Sequence, residues 1–317
     1  MAEQEARRAG GPTGTTEARI AIVGAGLMGH GIAQVFAVAG YSVSVYDATS
    51  EALRTLRPRI ERNLADLGLD SAVSRRVTSQ EELAAAVADA EIIFEAAPER
   101  LRLKQEIFAE LERLAPPTAL LASNTSVIPI GKIAARVTTR ERVLGTHWWN
   151  PPWLIPLVEV IETDGTAPTS VATMMALLRS LGKTVVHVRK DVPGFIGNRL
   201  QHALWREAIA LVQNGVCDAE TVDTVVKTGF GRRLAVIGPL ENADLIGTDL
   251  TLDIHAEVLA DLDRTPGPLP YLADLVAAGR LGFKSGEGFR KWTPEEQAKL
   301  RRRVAAHLKK SASEDVE

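Results

Sequence analysis

The chain has 317 residues, 45% hydrophobic and 24% charged, with a formal net charge of −3, enough for one large or two moderate globular cores. The near-neutral balance, without a lysine-arginine stripe interleaved with aromatics, argues against nucleic acid as a partner, and one cysteine, Cys217, excludes a disulfide framework or a multi-cysteine metal centre. No apolar run approaches the roughly 18 residues that span a bilayer, and residues 1–18 lack a signal peptide's apolar core, so a cytoplasmic protein with flexible tails at 1–18 and 311–317 is expected.

Ile20-Ala21-Ile22-Val23 reads as a buried strand feeding the turn Gly24-Ala25-Gly26-Leu27-Met28-Gly29, and Leu27 to Ala39 then shows helical periodicity. This strand, G-x-G-x-x-G turn and helix form a dinucleotide site. Gly24 permits the sharp turn, Gly26 lets a pyrophosphate approach the backbone, and Gly29 lets helix and strand pack closely. Leu27 and Met28 open the helix, where free N–H groups and the positive dipole end face the phosphates. Asp47 ends the strand Ser42 to Tyr46, 18 residues past Gly29, close to the roughly 20 expected of the ribose-binding acid. Its carboxylate would repel a 2′-phosphate by about 4 kcal/mol at about 4 Å in a surface-like dielectric. Ala48, Thr49 and Ser50 bring no arginine to offset this, so NAD is favoured over NADP. Capping of the next helix falls instead to Thr49 and Ser50.

Further along, residues 50–67 and Glu81–Ala88 read as helices, Glu91–Glu95 as a strand, Leu101–Leu114 as a helix, Ala119–Ala122 as a strand and Ile128–Val137 as a short helix. The strands Val143–Thr146, Leu157–Ile161 and Thr184–Val188 follow, with a helix at Pro168–Leu181 before the last. This alternation predicts an α/β fold, a doubly wound, mostly parallel Rossmann-type sheet over 19–190. From Phe195 onward the pattern is helical, so a separate all-helical domain is expected over 191–310.

His147 follows an apolar strand, where doubly wound folds place their ligands, and Glu159 is the one charge within Leu157–Ile161. A carboxylate among apolar neighbours needs a partner. Paired with His147, it would fix the ring's tautomer and leave the other nitrogen to take a proton from an alcohol. A surface histidine and a solvated edge-strand glutamate fit the spacing equally well.

Gly24-x-Gly26-x-x-Gly29, Pro98-Glu99-Arg100-Leu101-x-x-Lys104, Ser123-Asn124-Thr125-Ser126, His147-Trp148-Trp149-Asn150-Pro151, Leu157-Val158-Glu159-Val160, Pro193-Gly194-Phe195-Ile196-x-Asn198-Arg199 and Lys284-Ser285-Gly286-Glu287-Gly288-Phe289 resemble, in order, the motifs of the 3-hydroxyacyl-CoA dehydrogenase family. The resemblance covers about residues 19–292. It implies an NAD domain, a helical domain that forms a homodimer, and a catalytic His147–Glu159 pair. It places Ser126 on the substrate oxygen near the nicotinamide and Asn198 near the reacting carbonyl. Asn150 falls on the substrate side, Glu99 and Lys104 along the riboses, and Asp47 on the adenosine ribose. On their own residue types, Ser126 and Asn198 would serve as well as helix caps, and Lys104 as one of a solvated charge set.

Two departures from the CoA-using pattern stand out. The segment from Asp47 to Glu91 is compact and carries Arg54, Arg57, Arg59 and Arg62 but no lysine. Gly229 to Pro239 carries Arg232 and Arg233 where CoA users have a short apolar turn, and Arg233 resembles a basic position of the branches acting on free acids such as L-carnitine and L-gulonate. His147-Trp148-Trp149-Asn150-Pro151-Pro152 resembles the branch that oxidises a pyridine carboxylate. Trp148, Trp149, Trp153 and Trp205 lie near these motifs, as core packing or as walls of a substrate pocket. The expected function is NAD-dependent oxidation of a small free hydroxy acid to its ketone, with Arg233 holding the acid. A CoA ester substrate and an idle NAD-binding, crystallin-like protein are the alternatives. No metal is expected.

Overall fold

The structure, a computed structural model, describes residues 18–314. It divides into two compact units, one ending at Asn198 and joined by residues from Leu308 onward, the other Arg199–His307.

The first unit is built on eight strands: β1 (Ile20–Val23), β2 (Val43–Tyr46), β3 (Val77–Gln80), β4 (Ile92–Glu95), β5 (Leu120–Ser123), β6 (Val143–Trp148), β7 (Leu157–Ile161) and β8 (Thr184–Val188). They form one sheet in the order β3-β2-β1-β4-β5-β6-β7-β8. All neighbours pair parallel except β6 and β7. Such a sheet needs crossover connections, and the helices that make them cover both faces. Accordingly, every residue of β1, β4, β5 and β6 is buried.

On one face, α1 (Leu27–Val38), α2 (Ser50–Asp66) and the helix Pro168–Ser180 enclose Phe36, Leu56, Ile60, Trp148 and Met174. On the other, α3 (Leu83–Val87), α4 (Leu101–Leu114) and α5 (Ile130–Ile133) enclose Phe108, Leu111, Ile130 and Phe195. The helix Pro168–Ser180 is α6.

Two strands depart from the sequence expectation. β3 has the sequence Val-Thr-Ser-Gln with Val77 alone fully buried, so as an edge strand it lacks the apolar run that marks the others. β6 continues through His147 to Trp148, which puts His147 inside the strand. The division between units falls after Asn198, because the preceding segment is bonded into the sheet domain. Asp191 accepts hydrogen bonds from Ile130 N at 3.0 Å and Gly131 N at 2.7 Å, and Gly194 N donates to Val127 O at 3.2 Å.

The second unit holds α8 (Ala219–Thr228), α9 (Pro239–Ile246), α10 (Thr248–Val258) and α11 (Pro270–Ala277). The bounding helices are α7 (Gly197–Gln213) and α12 (Pro294–Glu314). Among the described residues of this unit, β structure is limited to isolated bridges at Gly282, Glu287 and Lys291. Residues 311–314, expected as tail, continue α12, while 1–17 and 315–317 lie outside the described residues.

Candidate active site

The glycine turn is shaped by close approach. Gly24 has φ +110°, and a Cβ there would lie 2.6 Å from Ala96 O. At Gly29 a Cβ would fall 1.7 Å from Gly24 O, so no side chain fits between helix and strand. Gly26 differs, since a Cβ would meet no protein atom within 4 Å. Packing within the chain gives no reason for glycine at this position, whereas close approach by a ligand does. Gly26 is the N-cap of α1 and no side chain caps it. The first-turn N–H groups of Leu27 and Met28 are therefore available to an anion.

Asp47 holds this turn. Its Oδ2 accepts Ala25 N at 2.7 Å, and its Oδ1 accepts Thr49 N at 2.9 Å and Thr49 Oγ1 at 2.7 Å. The expectation that Thr49 or Ser50 caps α2 is corrected here. Thr49 occupies the N-cap position without a capping bond, and Ser50 is already helical. The Thr49 hydroxyl is instead turned toward Asp47 Oδ1, to which it donates, and accepts from no α2 amide.

Arg59 is a residue that sequence reasoning missed. Its guanidinium donates to Ala25 O, to Gly26 O at 3.3 Å and to Ala52 O at 3.1 Å, so it binds the turn from the carbonyl side while Asp47 binds it from the amide side. His30 adds a bond from Nδ1 to Gly26 O at 2.9 Å. Burial lowers the Arg59 pKa, and the Asp47 charge opposes that. Nothing distinguished Arg59 in sequence from Arg54, Arg57 and Arg62 on the same helix.

A second network lies beneath the Ser126 loop. Glu95 is fully buried and accepts Lys104 Nζ at 2.7 Å, Ala97 N at 2.7 Å and Ser123 Oγ at 2.6 Å. Lys104 is 1% exposed and also donates to Ala97 O at 3.1 Å, with Glu99 Oε2 3.5 Å away. Glu99 Oε1 accepts Thr125 Oγ1 at 2.6 Å, Ser126 N at 3.0 Å and Val127 N at 3.1 Å. Burial works to raise the Glu99 carboxyl, but these bonds and Lys104 outweigh it and hold it below the usual carboxylate range. The solvated charge set that residue type allows for Lys104 is thus corrected. The ammonium is buried because an ion that leaves water needs a charged partner, and Glu95 supplies one.

The antiparallel pairing of β6 and β7 sets His147 directly across from Glu159. His147 Nδ1 lies 2.7 Å from Glu159 Oε2, with both side chains buried. Glu159 Oε1 accepts Ile196 N at 2.9 Å and Gly197 N at 3.0 Å. Burial works to raise the Glu159 carboxyl, and the bonds from His147, Gly197 and Ile196 prevail and keep it below 4.5, hence ionised at neutral pH. This corrects the solvated edge-strand alternative for both residues, because the pairing buries them together. Asn198 Nδ2 donates to Ser126 O at 2.8 Å, and Asn124 Oδ1 accepts Trp148 N at 3.1 Å. The loop bearing Ser126 is thereby tied to Glu99, to β6 and to the segment after β8.

Asn150 is exposed just past β6. Arg233 belongs to the second unit, exposed after the turn Phe230–Arg232. The tryptophans divide by role. Trp148 is core, 2% exposed, with Lys183 Nζ 5.5 Å from its ring centroid. Trp153 packs on His30 at 5.5 Å and on the bare face of Gly31, while Trp149 packs on His147 at 5.1 Å. Trp205, in the second unit, contacts His202.

Residues 19–192 match the 3-hydroxyacyl-CoA dehydrogenase NAD-binding domain and 194–292 the C-terminal domain of the same enzymes. The chain belongs to the 3-hydroxyacyl-CoA dehydrogenase family. Its members include 5-formyl-3-hydroxy-2-methylpyridine 4-carboxylate 5-dehydrogenase of Mesorhizobium japonicum, 39% identical over 294 residues, 91% of this chain and 95% of that one. L-carnitine dehydrogenase of Streptomyces coelicolor is 40% identical over 233 residues, 72% of this chain and 73% of that one. A probable 3-hydroxybutyryl-CoA dehydrogenase of Bacillus subtilis is 40% identical over 281 residues, 86% and 96% of the two chains. A crystal structure of the pyridine carboxylate enzyme, described as an NAD+-dependent dismutase, superposes with a TM-score of 0.86 at 37% identity over 92% of this chain and 96% of that one. The chain is therefore an NAD-dependent oxidoreductase, in a family that acts on CoA esters and on free acids alike.

Proposed function

We propose that this dehydrogenase oxidises the secondary alcohol of a small free hydroxy acid to the ketone, with His147 as the base. The observation that carries the reading is the 2.7 Å contact of His147 Nδ1 with a Glu159 carboxylate held by two backbone N–H groups. With its proton directed at Glu159, the ring presents an unprotonated Nε2 to the substrate. The glycine turn, Leu27, Met28 and Asp47 hold the dinucleotide, and Glu99 and Lys104 shape the loop along its riboses. When bound, NAD supplies the hydride acceptor. Nε2 takes the hydroxyl proton, Glu159 stabilises the imidazolium that forms, and Ser126 and Asn198 orient the oxygen.

Support for a free acid comes from the compact, lysine-free segment after Asp47 and from Arg233. A guanidinium can neutralise a carboxylate with two parallel charge-assisted bonds. Asn150 completes the substrate side. The second unit exposes Val236 at 88%, Leu240 at 81% and Leu245 at 74%, which supports a homodimer through this unit. A single cysteine suits a reducing cytoplasm.

A second reading is favoured by the pyridine carboxylate relative, which covers 91% of this chain and whose structure superposes with a TM-score of 0.86. A formyl group in its hydrated form presents the same H–C–OH arrangement, so the same base could serve an aromatic aldehyde acid.

Both readings are tested by following NADH at 340 nm over free hydroxy acids, a pyridine aldehyde carboxylate and 3-hydroxybutyryl-CoA, with wild type and Arg233→Ala. Free-acid turnover that falls about 10- to 150-fold in Arg233→Ala, the loss of one bond to a charged group, supports the proposal. Turnover of the CoA ester alone, untouched by Arg233→Ala, refutes it. NAD binding without any turnover would instead support an idle protein.

A further inference from the structure

We propose that Trp149 and Phe195 are positioning residues that fix the His147 ring, and that glycine at 197 is required because it admits Trp149. The proposal rests on the assignment of His147 as the base. A single hydrogen bond at Nδ1 anchors one atom of the imidazole and leaves the ring free to swing about that contact. Two aromatic rings pack against it: Trp149 with centroids 5.1 Å apart and Phe195 with centroids 5.8 Å apart, each tilted by 52°. Contacts of this kind restrict the swing and so the direction in which Nε2 points.

The segment that supplies Phe195 is built unusually. Phe195 has φ +52° and is the one non-glycine residue with positive φ among the described residues. A bulky side chain rarely adopts that conformation, and where it persists the surroundings enforce it. Here the enforced backbone aims Ile196 N and Gly197 N at Glu159 while its side chain, 1% exposed, packs on His147. At Gly197 a Cβ would lie 2.4 Å from Trp149 Cζ2 and 3.4 Å from Glu159 Oε2. Any side chain at 197 must therefore displace the indole. One short run from Phe195 to Asn198 thus sets the carboxylate by its amides, the imidazole by Phe195 directly and by the space Gly197 leaves for Trp149, and the Ser126 loop by Asn198.

The test compares Trp149→Phe, Trp149→Leu and Gly197→Ala with His147→Ala and wild type, using 3-hydroxybutyrate as the starting probe and then the best substrate of the panel. Trp149→Leu is expected to lose about 10- to 100-fold in kcat, the scale of a base displaced by a fraction of an ångström to one ångström. Substrate KM and NADH affinity by fluorescence should stay within about two-fold, since neither depends on ring orientation. Trp149→Phe, which keeps an aromatic ring, should restore most of the rate. Gly197→Ala should match Trp149→Leu although it alters no side chain of the pair. Wild-type kcat in Trp149→Leu, a loss seen in KM or NADH affinity instead, or equal losses in the Phe and Leu variants would each overturn the proposal. An active His147→Ala would remove the reading beneath it, whereas an inactive His147→Ala beside a fully active Trp149→Leu overturns the aromatic support alone.

Discussion

Replacing Glu159 by glutamine isolates what the carboxylate does, because the two side chains have the same shape. Oε1 accepts bonds from both Ile196 N and Gly197 N, and Oε2 faces His147 Nδ1 at 2.7 Å. In the Gln variant the amide oxygen must stay on the two backbone donors, since the opposite orientation would point an NH2 group at two N–H groups. The amide nitrogen then faces Nδ1 and can be met only if Nδ1 is unprotonated. The ring proton moves to Nε2, the atom that must accept from the substrate. The imidazolium formed in the reaction also loses its counter-charge. We expect kcat to fall by the full worth of a general base, about 10²- to 10⁴-fold, or about 3–5 kcal/mol in the barrier. Substrate KM and NADH binding should hardly change. The folded state should lose only about 1 kcal/mol at neutral pH, because a charged hydrogen bond becomes a neutral one. The Glu159 carboxyl sits below its ordinary 4.5, so its contribution to stability is present above that pH and is lost as pH falls through the lower folded value. The Gln variant should therefore approach wild-type stability in acid. NADH formation at 340 nm and thermal unfolding by circular dichroism read both effects. A variant keeping more than about a tenth of wild-type kcat would refute the argument, because the wrong tautomer cannot support catalysis at that level.

Three further expectations follow from other parts of the structure. Arg59→Met removes a cation from the Ala25 and Gly26 carbonyls and should weaken NADH binding about 10- to 150-fold, the worth of a bond to a charged group, with kcat at saturating NAD nearly unchanged; unaltered affinity in a fluorescence titration would refute its role. Asp47→Ser with Ala48→Arg should move preference toward NADP, by removing the repelling carboxylate and adding a phosphate partner, and a wild-type preference for NADP in steady-state kinetics would contradict the basis of the design. Burial pushes the Lys183 ammonium from 10.5 down to about 8, so the unfolded chain binds that proton more tightly, and stability rises between about pH 8 and 10.5. Denaturant titrations should show wild type gaining on Lys183→Met by up to about 3 kcal/mol from pH 7 to 10, and parallel pH profiles would refute the assignment.

The elements legible in the sequence were those whose pattern and environment agree. β1, β4 and β5 are short apolar runs because they are buried on both faces, and the glycine turn is visible because Gly24 and Gly29 are sterically obligatory. β3 was invisible for the converse reason. At the sheet edge only Val77 is fully buried, and Thr78, Ser79 and Gln80 carry the composition of a loop. The family domains divide between 192 and 194, while the compact unit extends to Asn198, because the bonds of Asp191, Gly194 and Asn198 still run into the sheet domain.

For the site, the residue types were readable but the relations between them were not. Spacing alone left His147 and Glu159 equally compatible with a solvated pair, and what joins them is the one antiparallel pairing in the sheet. Because side chains alternate along a strand, a slip of one residue in that pairing would turn the carboxylate to the opposite face and break the pair. Within that register the carboxylate is oriented by bonds from Ile196 and Gly197, far along the chain. Residue type alone marks neither Arg59 nor, apart from the family resemblance that sets it along the riboses, Lys104. Each is a cation on a charged amphipathic helix, where sequence suggests solvent, and each becomes fixed only because folding brings a second helix or strand end against it: the glycine turn for Arg59, the buried Glu95 for Lys104. Chemistry-bearing groups announce themselves by type and by motif. The groups that aim them are ordinary residues whose role exists only in the folded contact, so substitutions at Trp149, Gly197 and Arg59 test the site more sharply than further substitutions within the motifs.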